Sequence, residues 1–109
     1  MAFKATYLGS NGWIIEFKKI RIVIDPWLLG ELVFPPGSWF FKGTLKDEIP
    51  TPKNIDLILL TQGLPDHCHI PTLKKFPKNT KIICSKSASK VLNELNFESI
   101  NIMEPGENL

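Results

Sequence analysis

Asp66, His67, Cys68 and His69 are four consecutive residues whose side chains can all bind a metal ion, and zinc accepts the oxygen, nitrogen and sulfur donors they offer. Four neighbours cannot all converge on one ion. At most two or three can, and a zinc site takes three or four ligands, so the run by itself is an incomplete site. It follows an apolar stretch, Asp56-Leu-Ile-Leu-Leu-Thr61, and the linking residues Gln62-Gly63-Leu64-Pro65. A continuous apolar run of this kind reads as a strand buried on both faces. In α/β folds, sites gather beyond the carboxyl ends of such strands. A metal held there would polarise a carbonyl or phosphoryl group and lower the pKa of water to about 7, which is hydrolytic chemistry.

Plainer roles stand beside these. Asp66 can cap a short helix, because carboxylates favour helix N-termini. His67 and His69 can be polar side chains hydrogen-bonded within a loop. Asp25, ahead of Pro26, is common turn chemistry. Cys68 with His67 or His69 would suit a cysteine hydrolase, but sequence neighbours rarely give nucleophile and base their geometry, and no oxyanion donor is evident. The other role for Cys68 and Cys84 is as small buried hydrophobes.

The elements that must position these residues change character along the chain. Residues 1–26 read as an antiparallel meander with one solvated face. Phe3, Ala5 and Tyr7 alternate with Lys4, Thr6 and Leu8; Trp13, Ile15 and Phe17 share a face; Ile20, Ile22 and Ile24 line a third strand. Gly9-Ser-Asn-Gly12 is turn chemistry. Residues 27–53 hold Pro35, Pro36, Gly37, Pro50 and Pro52, with Trp39, Phe40 and Phe41 between, and read as a loop. A loop that long is often functional, here as a lid or partner contact, the alternative being a flap packed on its own sheet. Residues 54–109 read as strand–helix–strand–helix–strand. Pro71 starts a short helix carrying Leu73 and Phe76, and Pro77 stops it. Thr80–Cys84 is a strand. Ser85 or Ser87 caps a helix with Ala88, Val91, Leu92 and Leu95 on one stripe, and Ser99–Met103 is the last strand. Such an order implies parallel pairing with right-handed crossovers. The whole is an α/β chain with a mixed, α+β-like sheet. Its two helices cover one face, and Ile22, Leu57, Leu59 and Ile82 require further burial, at roughly 1.5–3 kcal/mol each if left exposed.

The buried strand, the Thr-x-Gly-x-x-Asp-His stretch at 61–67 and the upstream Ile24-Asp-Pro-Trp-Leu28 resemble the metallo-β-lactamase superfamily, its lactonase-like branch in particular. The resemblance runs over essentially all of the chain and matches the N-terminal half of that family's four-layer αββα sandwich. It implies a metal-dependent hydrolase in which His-x-His-x-Asp-His follows the strand. Gln62 and Leu64 stand where the two leading histidines belong, so the motif is degenerate. Asp66 and His67 match metal ligands, Asp66 being also the candidate catalytic residue. His69 is a further candidate ligand outside the family pattern, and Asp25 matches a position beside the centre from which a carboxylate orients a ligand. The implied cofactor is zinc, or else iron or manganese. The other function class is a non-catalytic assembly module that pairs through its open sheet face.

With 109 residues, 43% hydrophobic and 22% charged, the composition is that of an ordinary globular domain. The formal charge is +2, and the basic residues are scattered lysines with Arg21 the one arginine. No basic stripe suggests nucleic acid, and no apolar run suggests a membrane. A cytoplasmic location is expected, with a small-molecule substrate. The chain alone is expected to be inactive, and its partner to be a second copy or a separate C-terminal half.

Overall fold

The computed structural model describes residues 2–34, 37, 42–45 and 47–109. It has a six-stranded mixed sheet in the order β1-β2-β3-β6-β7-β8. Strands β1 (Phe3–Gly9), β2 (Gly12–Phe17) and β3 (Ile20–Ile24) form the antiparallel meander. Strands β6 (Leu57–Leu60), β7 (Lys81–Cys84) and β8 (Ile100–Ile102) join it in parallel. The seam between the two parts is the β3–β6 ladder, with Ile22, Val23 and Ile24 opposite Leu57, Ile58 and Leu59.

Two helices cover one face. Helix α1 (Ile70–Leu73) is a single turn, shorter than the proline-bounded segment suggests, with Pro71 in its first turn. Helix α2 (Lys86–Val91) runs into a 3-10 turn over Leu92–Glu94. Of the two serines able to cap it, Ser85 does so, accepting from the N–H of Ala88. Leu73, Phe76, Ala88, Leu92 and Leu95 pack on Val23, Ile58, Leu60, Ile82 and Cys84, all buried, and this is the core.

Side chains alternate across a strand, so the register defines the opposite face. On the meander it carries Phe3, Ala5 and Tyr7, then Trp13, Ile15 and Phe17, then Ile20, Ile22 and Ile24. On the parallel part it carries Leu57, Leu59 and Ile83. No described helix or strand lies over it: on the meander Phe3 is 64% exposed and Ile20 52%, while Leu109 borders the parallel part beside Leu57 and Ile83. The solvated side of the meander is therefore apolar rather than polar. Of the four residues expected to need more burial, Ile22, Leu57 and Leu59 lie on this face, whereas Ile82 is in the core.

The segment read as a loop over 27–53 contains a two-stranded hairpin, β4 (Glu31–Val33) with β5 (Lys42–Thr44). Leu28 and Leu32 are buried, and the N–H of Leu28 is bound by the hydroxyl of Thr72 at 3.0 Å. These contacts tie the start of the segment to α1. Trp39, Phe40 and Phe41, with Pro35 and Pro36, lie outside the described residues. Among the described residues no helix is long and apolar enough to cross a membrane.

Candidate metal centre

Beyond the carboxyl ends of β3 and β6, five polar residues meet: Asn11, Asp25, Thr61, Asp66 and His67. Asp25 directly follows β3 with φ of 43°, in the left-handed region, which Asp tolerates better than most residues. That turn directs its carboxylate back over the sheet, where it is only 3% exposed. One oxygen accepts from the Thr61 N–H at 2.8 Å, and the other from the Thr61 hydroxyl at 2.5 Å. The second oxygen also lies 2.7 Å from Nδ1 of His67. A carboxylate only accepts, so Nδ1 donates to Asp25, which leaves Nε2 as the nitrogen that faces Asn11 and Asp66. This is the carboxylate–histidine arrangement that prepares an imidazole to bind a metal.

Nε2 of His67 lies 3.6 Å from Oδ2 of Asp66. Metal bonds of about 2.0–2.2 Å at a tetrahedral angle place two ligand atoms roughly 3.3–3.6 Å apart, so this pair fits one ion. Oδ1 of Asp66 is buried without a hydrogen-bond partner among the described residues, an arrangement costly enough to need an explanation, and a cation would supply one. Asn11, from the β1–β2 turn, donates through Nδ2 to Oδ2 of Asp66 at 3.0 Å, to its carbonyl at 3.3 Å and to Nε2 of His67 at 3.4 Å, so an ion held by this pair would displace the Asn11 amide. Asn11 thus bridges the two donor groups across 55 residues of sequence. Two donors are still fewer than zinc takes. Among the described residues no group of three His, Cys, Asp or Glu side chains could hold a metal.

The motif loop is clamped to α2. The N–H of Gly63 donates to the Ser87 hydroxyl at 3.1 Å, and a Cβ on Gly63 would sit 2.6 Å from the Ser87 carbonyl oxygen. Only glycine allows that approach. The second serine considered as a helix cap therefore holds the loop instead. Gln62 and Leu64, on either side of Gly63, are exposed.

His69 stands apart from Asp66 and His67. Its Nε2–H donates to the Glu31 carbonyl at 2.8 Å, and its Nδ1 accepts from the Thr72 hydroxyl at 2.8 Å. Both nitrogens are engaged, which leaves no lone pair for an ion. Burial lowers its pKa below the usual imidazole value, partly opposed by the Glu31 hydrogen bond. His69 is also the residue preceding α1, and Asp66 makes no capping contact there. Cys68 is 2% exposed, and its thiol is pushed up to about 12 by burial first, then by Cys84 and Asp25. Burial likewise raises Cys84. A nucleophilic cysteine needs thiolate, so Cys68 does not serve as one, and both cysteines are free buried thiols.

Comparison with known proteins agrees with this fold. A protein of Paracoccus denitrificans (strain Pd 1222) described as a UPF0173 metal-dependent hydrolase is 38% identical over 64 residues, which is 59% of this chain and 24% of that protein. The solved structure of isothiocyanate hydrolase from Delia radicum gut bacteria superposes with a TM-score of 0.72 at 15% identity, over 96% of this chain and 43% of that one. That likeness is one of fold. This chain spans less than half the length of either. The family description "Beta-lactamase superfamily domain" matches residues 4–106. With that match across nearly its whole length, and a mixed α/β sheet shared with a solved hydrolase, the chain belongs to the β-lactamase superfamily.

Proposed function

We propose that this chain supplies Asp66 and His67 to the metal centre of a metal-dependent hydrolase, with the remaining ligands coming from outside its described residues. The observation that carries the reading is the pairing of His67 Nε2, turned toward the site by Asp25, with the Asp66 carboxylate 3.6 Å away, the two bridged by the Asn11 amide that an ion would replace. The similarity to a metal-dependent hydrolase from Paracoccus denitrificans supports it. One imidazole and one carboxylate suit zinc, and also iron or manganese. The ion would supply Lewis-acid polarisation of a small ester, lactone or phosphodiester substrate and make water acidic enough to react near neutral pH.

The protein residues have distinct parts. His67 binds through Nε2 while Asp25 holds its tautomer. Thr61 occupies the remaining acceptor positions of Asp25, and Asn11 fixes the orientation of Asp66. Asp66 is also the candidate catalytic residue, its carboxylate lying beside the place where an ion would activate water. Gln62 and Leu64 stand at the family's leading histidine positions and leave two ligands missing, so the chain by itself is inactive in this reading. Free thiols at Cys68 and Cys84 fit the reducing cytosol.

Elemental analysis of protein purified without chelator tests the reading. About one zinc, iron or manganese per chain, lost when Asp66→Ala and His67→Ala are combined, is the expected result. Uptake unchanged in that double variant would refute the assignment. No metal even after incubation with excess would favour a second reading, a non-catalytic assembly module, to which the exposed Gln62 and Leu64 already point.

A further inference from the structure

Lysines that are scattered in the sequence are partly gathered by the fold. Lys53, Lys75 and Lys81 line one cleft of about 640 Å³ at the amino-terminal ends of β6 and β7. The metal centre lies beyond the other end of β6, so the length of a four-residue strand, roughly 13 Å, separates the two. A sphere of the cleft's volume is about 11 Å across, close to the ~8 Å Debye length at physiological salt, so the three charges act on the same space. All three side chains are exposed. Among the described residues none of them forms an ion pair, whereas Lys4 and Lys42 pair with Glu16 and Glu31. Asp56 is the one acidic residue of the lining, and its Oδ2 already accepts from the Arg21 N–H at 2.8 Å.

We propose that this cleft is a second binding site, one that takes the phosphate group of a small phosphomonoester. Three ammonium groups against one carboxylate leave a charge of +2, which a phosphate monoester, carrying about −1.5 to −2 at pH 7, balances. Lysine binds phosphate as a point charge, whereas planar recognition of a carboxylate favours the arginine fork. The cations lining the cleft are all lysines. The side-chain amides of Asn54 and Asn79 add neutral hydrogen-bond donors. The volume falls within the range of small-ligand sites and leaves room for an organic group beyond the phosphate. Both walls are fixed before any ligand arrives. On one, the Lys53 carbonyl accepts from the Arg21 guanidinium, and the Asp56 N–H donates to the Arg21 carbonyl at 2.9 Å. On the other, the Thr80 N–H donates to the Pro77 carbonyl at 3.0 Å, and the Glu98 N–H to the Lys78 carbonyl at 3.0 Å. Walls so fixed hold three like charges around one space, which is unfavourable until an anion enters.

The test is a titration of the nitrogen-15-labelled chain with glucose 6-phosphate, read residue by residue from the amide chemical shifts. Saturable shifts are expected at Lys53, Asn54, Asn79 and Lys81 and not at residues 61–67, so the outcome is independent of the metal centre. Glucose, which lacks the phosphate, should cause none. Lys53→Gln combined with Lys81→Gln should weaken binding about tenfold or more, since two charge contacts to the phosphate are lost. Lys86→Gln with Lys90→Gln removes the same charge from α2, outside the cleft, and should leave the affinity unchanged. Far-UV circular dichroism confirms that each variant is folded. A wild-type chain without saturable shifts up to about 10 mM overturns the proposal whatever the variants do. So do shifts confined to residues 61–67, an equal response to glucose, or equal weakening by the α2 pair.

Discussion

Asp25→Asn is the perturbation that most directly probes the site. Asn matches Asp in shape and tolerates the left-handed backbone at this position. Its oxygen can still accept from the Thr61 N–H, and its amide nitrogen takes the place now held by the oxygen 2.7 Å from Nδ1 of His67. An amide nitrogen donates and does not accept. Nδ1 must then become the acceptor, and the ring proton moves to Nε2, the atom facing Asp66. The fold survives because the Thr61 hydroxyl can turn to accept where it formerly donated. The metal-binding lone pair is lost. Mutations of such supporting carboxylates cost 10–100-fold in metal affinity, equivalent to about 1.4–2.8 kcal/mol. Nitrogen-15 NMR of the imidazole reads the tautomer without metal, and titration with zinc reads the affinity. If the Asp25→Asn variant keeps the His67 proton on Nδ1 and binds zinc unchanged, the account of Asp25 is refuted.

Gly63→Ala should destabilise the protein by about 1–3 kcal/mol, since its methyl group meets backbone rather than a side chain that can turn aside; thermal unfolding compared with wild type checks this. The His69 contribution to stability should be flat above pH 6.5 and fall as the pH drops below it. His69 is held neutral in the fold, so the unfolded chain binds its proton first, and the loss continues down through the lowered folded value. Urea melts at several pH values, repeated on His69→Gln, should show that slope reduced in the variant. Cys68 should react slowly with a thiol reagent at pH 8 in the folded protein and rapidly in urea, because burial keeps it protonated; a fast native reaction would contradict its placement.

Much of this architecture was legible because local pattern and tertiary role coincide. Alternation over 3–8 and 13–17 marks β1 and β2, the apolar run at 57–60 marks β6, and Ser85 stands where a helix cap belongs. The hairpin in 27–53 was not legible. Strands of three residues carry too little alternation to register, and Leu32 is the one buried position in the pair. At the site, the Asp66–His67 pair announced itself by residue type. Asn11 did not, because within Gly9-Ser-Asn-Gly12 it reads as turn chemistry, and its contacts lie 55 and 56 residues away. His69 illustrates the reverse error. A histidine beside two ligand-type residues looks like a third, but the chain turns into α1 there and directs its ring to Thr72 and Glu31.

The β3–β6 seam has a consequence for how the protein assembles. Asn11 and Asp25 belong to the meander, and Thr61, Asp66 and His67 to the parallel half. Three residue pairs of ladder join the two halves, and the N–H of Asp25 bonds the Leu59 carbonyl at its end. Each half is held largely by contacts close in sequence, whereas the seam must close a loop of more than thirty residues and so tends to form late. An opening confined to the seam would separate Asp25 from His67 while leaving both halves folded, an event that native-state hydrogen exchange detects as a cooperative unit of its own. His67 can hold the tautomer it needs only after the two halves have joined, so competence to bind metal is gated by the completion of the sheet.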